Sequence, residues 1–169
     1  MWNAVKIAAA AALSLGVLLD TAALAQTPKP PQRSTAQQPE PAKPKLATAH
    51  RIVIQISQND PAVMNVALNN AENLAKHYSD KGEKVDIEFV AYGPGLHMMR
   101  SDTSPVKDRL ATMSLRMNNV IFSGCGNTLA GQSRQENKEI TLLPEARLVQ
   151  TGIARILELQ EQGWSYVRP

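Results

Sequence analysis

The chain has 169 residues, of which 43% are hydrophobic and 4% aromatic, and its formal net charge at pH 7 is +3. The excess positive charge lies in the amino-terminal part of the chain, because residues 50–169 contain 13 basic and 13 acidic residues. A neutral region of this kind lacks the clustered lysine and arginine that phosphate contacts need, so the composition argues against a nucleic-acid partner.

Residues 1–25 have the pattern of a secretory signal peptide. Lys6 precedes an apolar run at 7–19, and Ala23-Leu24-Ala25 fits a small-x-small cleavage pattern. The alternative is a membrane anchor, but the run has 13 residues, whereas a spanning helix needs about 20. We therefore expect Sec-type export with cleavage after Ala25, a periplasmic or secreted protein, and no stable membrane insertion after cleavage.

The next segment, residues 26–49, is rich in proline and polar residues and has no apolar pattern. Prolines at this density disfavour helices and sheets and favour an extended, solvated chain. We interpret the segment as a disordered linker, with a ligand for a proline-binding domain as the alternative. The remaining residues, 50–169, have the usual length of one folded domain.

The domain alternates between short apolar runs and segments with helical periodicity. Strands are predicted at 51–57, 85–92, 119–123, 147–150 and 164–167. Helices are predicted to begin at Asp60-Pro61 and Ser104-Pro105 and to cover about 127–138, and Gly163 is predicted to end a last helix before the closing strand. The alternation predicts an α/β fold in three layers with a mainly parallel sheet of about five strands.

Three of the predicted helices carry an apolar stripe that should pack on the sheet. The stripes are Val63, Ala67, Ala71, Leu74 and Tyr78 in the first helix, Val106, Leu110, Met113 and Met117 in the second, and Ile153, Ile156, Leu157 and Gln160 in the last.

Reactive groups in such sheets lie beyond the carboxyl ends of the strands. Three loops occupy that position, and we predict that Asn59, Tyr92, Gly93 and Gly95 from the first two line a strand-end pocket. The third loop, after the strand at 119–123, contains Cys125.

Cys125 is the single cysteine of the chain, so it has no partner for an internal disulfide. In an exported protein, a leftover thiol suggests a reactive group or an intermolecular bond. The backbone N–H groups of Gly126, Asn127 and Thr128 would open the following helix and stabilise a thiolate there, which lowers a thiol pKa. The alternative is a buried cysteine that serves as a small hydrophobic residue.

His97 is predicted to act as a base or hydrogen-bond donor near this thiol, with a surface or packing role as the alternative. The run His97-Met98-Met99 also suggests copper, but methionines of the core explain it as well. Paired-cysteine, dinucleotide and phosphate-loop motifs are missing from the sequence. We therefore predict no metal site and no cofactor, and a flavin-binding protein is the least supported hypothesis.

Four stretches resemble the DsrE/DsrF-like family of small α/β proteins over about residues 50–169. They are Tyr92-Gly-Pro-Gly-Leu96, Cys125-Gly-Asn-Thr128, Gly152-Ile-Ala-Arg155, and Leu159-Gln-Glu-Gln-Gly-Trp164 with Tyr166. The resemblance implies a DsrEFH-like sandwich with a flavodoxin-like arrangement, a trimer-based homo-oligomer, and membership of an exported branch of the family.

The resemblance also implies a function. Relatives in sulfur relay hold a persulfide on one cysteine and pass it to a partner protein, and Cys125 is the position to which that role carries over. The sequence therefore predicts a sulfur carrier with a sulfur donor and a sulfur acceptor as partners. The alternative is a non-enzymatic, homo-oligomeric binding or assembly module in which Cys125 is structural.

Overall fold

The computed structural model describes residues 49–169, so the predicted signal peptide and, apart from Ala49, the predicted linker lie outside the described residues. The strands are β1 Ala49–Ile56, β2 Lys84–Ala91, β3 Val120–Cys125, β4 Ala146–Val149 and β5 Ser165–Val167. The helices are α1 Pro61–Asp80, α2 Lys107–Arg116, α3 Gly126–Glu136 and α4 Gly152–Glu161, and a 3₁₀ helix spans Gly93–Met99. Within 49–169, no helix has the length and apolar character that crossing a membrane requires.

The five strands form one sheet in the order β4-β3-β2-β1-β5, and every neighbouring pair is parallel. Helices cover both faces of this sheet, so the predicted three-layer α/β sandwich is confirmed. The layers are those of a flavodoxin-like arrangement, although the strand order differs from the 2-1-3-4-5 of flavodoxin.

Alternate residues of each strand pack against different helices, as the twofold period of a strand requires. Ile52, Ile54 and Ile56 of β1 belong to the larger apolar core, which also contains buried side chains of α1 and α2. Val53 belongs to a smaller core on the other side of the sheet, together with Ile156 of α4. We call these two sides the three-helix face and the α4 face.

Helix α1 begins as predicted from Asp60-Pro61. The Asp60 carboxylate accepts hydrogen bonds from the backbone N–H of Ala62 at 2.8 Å and of Val63 at 3.4 Å. The predicted stripe is confirmed for Ala67 and Ala71, which are buried, and for Leu74 and Tyr78, which pack against the larger core. Val63 is only half-buried, and the prediction left out the fully buried Met64 and Leu68. The cap fixes where the helix starts, and the packing on the sheet fixes which side turns inward.

Helix α2 begins at Lys107, three residues later than Ser104. The Ser104 hydroxyl donates a hydrogen bond to the Met98 carbonyl and accepts one from the Val106 N–H at 3.4 Å. Ser104 therefore organises the turn before the helix, and the prediction of its first residue was wrong. The apolar side was predicted correctly, since Val106, Leu110 and Met113 are buried and Met117 packs against the same core.

The predicted stripe of α4 is wrong. Three of its four residues are exposed: Ile153, Leu157 and Gln160. Ile156 is buried as predicted, and Arg155 turns inward because it forms an ion pair with the fully buried Glu88 of β2. Leu159, which the predicted stripe left out, is fully buried beside Ile156 in the smaller core, so the side of α4 that faces the sheet carries these two residues and Arg155.

Candidate functional site

The strand order creates a crevice at the carboxyl ends of β3 and β4. The helices that follow β1, β2 and β3 pack on the three-helix face, whereas the helix that follows β4 packs on the α4 face. The chain therefore leaves β3 and β4 towards opposite faces of the sheet, and such a switch in direction is where open α/β sheets bind ligands. Cys125, the last residue of β3, pairs there with Val149, the last residue of β4.

Helix α3 begins immediately after Cys125, so this cysteine is also the N-cap of the helix. Its sulfur accepts a hydrogen bond from the backbone N–H of Thr128 at 3.5 Å. A helix start leaves its first N–H groups without backbone partners, and a cap side chain satisfies one of them. Here a sulfur takes the place that a serine or aspartate oxygen usually has.

The start of α4 reaches the same sulfur from another direction. Gly152, the first residue of α4, packs against Cys125, and its backbone N–H is among the groups that lower the pKa of the thiol. A Cβ atom at position 152 would lie 3.2 Å from the Cβ of Cys125 and 3.0 Å from that of Tyr92. Glycine therefore allows α4 to approach the thiol this closely.

The start of α3 is joined directly to the loop before α4. The Asn127 backbone N–H donates to the Gln150 carbonyl at 3.1 Å, and the Asn127 side chain donates to the Thr151 hydroxyl at 3.0 Å. Two helix N-termini, 26 residues apart in the sequence, are thus held together around one thiol.

This arrangement favours the ionised form of Cys125. Burial raises the pKa of the thiol, but hydrogen bonds from the Thr128 side chain and from the backbone N–H groups of Gly152, Thr128 and Asn127 outweigh burial and hold the pKa below its ordinary value. Hydrogen bonds to the charged form lower a pKa in this way. The residue is nevertheless only 4% exposed.

Of the predicted thiolate-stabilising residues, Asn127 and Thr128 contact the sulfur. Gly126 is the first residue of α3 and has no described hydrogen bond to the thiol. Sequence reasoning missed Gly152, although it opens one of the four stretches that carry the family resemblance. A glycine just before an apolar helical segment was the available signal.

A cavity of about 440 Å³ lies beside this site, between the 3₁₀ helix and α3. Its lining includes Asn59, Gly93, Pro94, His97, Thr128, Gly131 and Gln132. The Gly93 N–H donates to the Thr128 hydroxyl at 3.0 Å, and the Gln132 side chain donates to the Gly93 carbonyl at 3.1 Å. Thr128 therefore links the wall of the cavity to the thiol.

Two residues predicted for the strand-end pocket do not line this cavity. Tyr92 packs against the smaller core on the α4 face, and burial raises the pKa of its hydroxyl. Gly95 is buried against the end of β1, where a Cβ atom would collide with the Ile56 carbonyl and lie 2.7 Å from the Ser57 nitrogen. Both residues lie in the segment after β2 and fix its position by packing against the rest of the domain, outside the cavity.

His97 lines the cavity but has no hydrogen bond to Cys125 among the described contacts. Its Nδ1 lies 2.7 Å from the Thr103 hydroxyl, so a direct role at the thiol stays a prediction. Met98 and Met99 are fully buried in the larger core, as the core interpretation of these methionines predicted. Within residues 49–169, no group of three or more histidine, cysteine or acidic residues could hold a metal ion.

A buried ionic cluster lies on the α4 face, two residues before Cys125 along β3. Glu88 of β2 accepts hydrogen bonds from Ser123 at 2.7 Å, from Arg147 at 2.8 Å, and from Arg155 through two bonds of 2.9 Å. We call these four residues the Glu88 cluster. Burial raises the pKa of Glu88, but the bonds from Arg155, Ser123 and Arg147 hold that pKa below its ordinary value.

Sequence reasoning missed the Glu88 cluster. The signal was Glu88 itself, a carboxylate within an apolar strand, because a buried charge needs charged or polar partners. The partners come from β3, β4 and α4, and the sequence does not indicate which residues of those elements would meet it.

A second cluster fixes the far end of α3. Arg100 is fully buried and pairs with Asp102 and Glu136, and Lys138 pairs with the same two carboxylates. We call these four residues the Arg100 cluster. The Arg100 guanidinium, followed by Lys138, lowers the pKa of Glu136 to about 2, and that of Asp102 also lies well below its usual range.

The comparisons with known proteins support the fold. No protein-family model matches the chain, and no curated protein matches it. The solved structure of a protein of unknown function, MTH1491 from Methanobacterium thermoautotrophicum, is similar to it with a TM-score of 0.61 and 29% sequence identity. The similarity covers 71% of this chain and 99% of that protein.

Proposed function

We propose that this chain is an exported sulfur carrier that holds sulfane sulfur as a persulfide on Cys125, as the DsrE/DsrF-like proteins that it resembles in sequence do. The observation that carries the proposal is the convergence of α3 and α4 on one sulfur. Two helix N-termini favour an anion, and the thiolate is the nucleophilic form of cysteine.

The proposed step is an exchange at sulfur that needs no added oxidant. The Cys125 thiolate, whose proton has gone to solvent, attacks the terminal sulfur of a polysulfide. A bond forms between Sγ and that sulfur, while the adjacent sulfur–sulfur bond of the donor breaks. The electron pair of that bond leaves with the shortened polysulfide, and the persulfide on Cys125 keeps one negative charge. Transfer to an acceptor thiolate reverses the same step.

The burial of the thiol favours one class of donor. Because Cys125 is only 4% exposed, a small, linear sulfur donor reaches Sγ more readily than the thiol of a folded partner does. The N–H groups of Thr128 and Gly152 would stabilise the anion before and after the exchange. His97 lines the same cavity as Thr128 and would assist from there.

The decisive experiment is intact-mass measurement of the native, processed protein after incubation with sodium polysulfide, beside the Cys125→Ser variant. We expect the wild-type protein to gain whole sulfur atoms that dithiothreitol removes, and the variant to gain none. The substitution removes the sulfur nucleophile and leaves a residue of similar size at the N-cap.

Alkylation with iodoacetamide distinguishes a thiol that is inert in the native protein from a reactive thiol for which polysulfide is the wrong donor. Native protein that gains no sulfur, and whose Cys125 reacts with iodoacetamide only after denaturation, would contradict sulfur carriage. Sulfur gained equally by the Cys125→Ser variant would show that the adducts form elsewhere.

A second candidate is the homo-oligomeric assembly module in which Cys125 is structural. Two observations favour it: the burial of Cys125, and the exposure of Ile153 and Leu157 at 57% each on α4. These residues are four apart and so form one apolar strip along the helix. We propose a trimer-based assembly in which this strip is covered, and such an assembly is compatible with sulfur carriage.

The double substitution Ile153→Lys with Leu157→Lys tests this surface. Burying two lysines in an interface is unfavourable, so the assembly should dissociate at least tenfold more readily, as measured by light scattering at several concentrations. Leu115→Lys is the matched control, since Leu115 is 89% exposed on α2 and its substitution should leave the assembly unchanged. Equal behaviour of all three proteins would exclude α4 from the interface.

A further inference from the structure

Apolar packing alone holds α4 weakly in place. Its core on the α4 face contains four buried apolar side chains, Val53, Val90, Ile156 and Leu159, whereas the core on the three-helix face contains nineteen. Apolar burial has no preferred direction. A helix seated on so few side chains can therefore slide or turn at little cost unless directional bonds oppose the movement.

The Glu88 cluster supplies those bonds. Arg155 donates from Nε to one oxygen of Glu88 and from Nη2 to the other, both at 2.9 Å. A two-point contact between guanidinium and carboxylate fixes orientation as well as distance. Glu88 is in turn fixed to β3 and β4, because Ser123 and Arg147 both donate to it.

The contact acts close to the start of α4. Arg155 lies three residues after Gly152, which is about one helical turn. A slide of α4 by one residue would move the Gly152 N–H by about 1.5 Å, which is enough to take it out of reach of the sulfur. The position of Arg155 on Glu88 therefore sets the distance between Gly152 and Cys125.

Stability alone gives a weak reason for this cluster. Burying charges is costly, and replacing a buried ion pair with apolar side chains of similar size is often neutral or stabilising. Glu88 is fully buried, and the space around it borders the apolar residues that already contact α4. What the ion pair adds, and apolar side chains cannot, is a fixed rotation and axial position of the helix.

We propose that Glu88 and Arg155 are positioning residues for Cys125: their two-point ion pair holds the start of α4 against this cysteine and so favours the thiolate. The inference deepens the proposed function, because it assigns the groups that prepare the nucleophile of the sulfur-exchange step. It concerns the thiol directly, so it can be tested without any sulfur donor.

A direct effect of charge is the competing explanation, and it predicts different results. The charged groups around the contact include Glu88 from β2, Arg147 from β4, and Arg155 with its partner Glu158 from α4. Tyr92, which follows β2 and lies beside Gly152, is also titratable and interacts with Arg168. If charge alone mattered, removing Glu88 would leave more positive charge near Cys125 and make the thiolate more stable. If position matters, removing Glu88 releases α4 and makes the thiolate less stable.

The test is a pH titration of the thiolate ultraviolet absorbance in the full-length, processed protein, with Cys125→Ser as the blank. We expect Glu88→Gln and Arg155→Lys each to raise the midpoint by about one pH unit, which is a tenfold smaller thiolate fraction below the midpoint. Arg155→Lys keeps the charge and loses the two-point contact. An unchanged midpoint in Arg155→Lys, or a lower one in Glu88→Gln, would overturn the inference.

Arg109→Lys is the matched control. Arg109 makes a similar multiple contact, with Asn65 at 2.7 Å and Asn69 at 2.9 Å, between α2 and α1 on the three-helix face. Its substitution should leave the thiol midpoint unchanged. If Glu88→Gln does not fold, Arg155→Lys decides alone, and circular dichroism confirms that each titrated variant is native.

Sulfur loading of the wild-type protein keeps the two proposals apart. Loading together with unchanged midpoints in both variants would leave sulfur carriage standing and remove the positioning role. Raised midpoints without any loading would establish the positioning role and remove sulfur carriage.

Discussion

The Gly95→Ala variant should be less stable than the wild-type domain by about 3 kcal/mol, the upper part of the usual range for overpacked sites. A Cβ atom at position 95 would collide with the Ile56 carbonyl and lie 2.7 Å from the Ser57 nitrogen. These are backbone atoms at the end of a central strand, so they cannot rotate away as the tip of a side chain would. The 3₁₀ helix must move instead, and it carries His97 and a wall of the strand-end cavity.

Urea unfolding, followed by circular dichroism, measures this loss. The matched control is Gly131→Ala in α3, where a Cβ atom would meet nothing within 4 Å. Alanine is the better helix former by about 1 kcal/mol, so this variant should be as stable as the wild type or more stable. A Gly95→Ala protein with wild-type stability would show that the loop after β2 does not rest on β1 as described.

The domain should lose stability on acidification from about pH 4.5 towards pH 2. The pKa values of Asp102, Glu136 and Glu88 are all lower in the folded protein than their ordinary values, and that of Glu136 is about 2. The unfolded chain therefore takes up protons first as the pH falls. The stabilisation is complete above the ordinary carboxyl pKa values and disappears as the pH approaches the folded ones.

Urea midpoints measured between pH 7 and pH 2 test this expectation, and Arg100→Met is the informative variant. Without the guanidinium, Asp102 and Glu136 titrate closer to their ordinary values, so the slope between pH 4.5 and pH 2 should become shallower. Salt should reduce the contribution of Asp102 and Glu136 to this loss of stability, because their side chains are 34% and 35% exposed. A slope that is identical in both proteins would assign the acid sensitivity to other groups.

Local patterns in the sequence were sufficient to predict the strands, the start of α1 and the position of Cys125. The apolar runs marked all five strands, and Asp60-Pro61 marked the start of α1, because these signals depend on neighbouring residues only. Cys125 could be placed at a strand end before a helix for the same reason. The contact of its sulfur with the start of α3 follows directly from that placement.

The contacts between α4 and the other elements depend on strand order, which the periodicity of apolar residues does not encode. The chain returns from β4 to the opposite edge of the sheet, and only this crossing brings Gly152 to Cys125 and Arg155 to Glu88. The error in the α4 stripe has the same origin. Ile153 and Leu157 satisfy one apolar pattern and Ile156 and Leu159 satisfy another, and the sequence does not indicate that the second one, together with Arg155, faces the sheet.

The single-helix layer over Cys125 has a consequence for when the thiol can react. Lifting α4 would uncover the sulfur, but the same movement would withdraw the Gly152 N–H that favours its ionised form. The ionised form of Cys125 would therefore be favoured while the sulfur is shielded and less favoured once it is open. A bulky oxidant or a stray protein thiol, which needs the open form, would more often meet the protonated thiol, and the fold would in this way protect an unpaired cysteine.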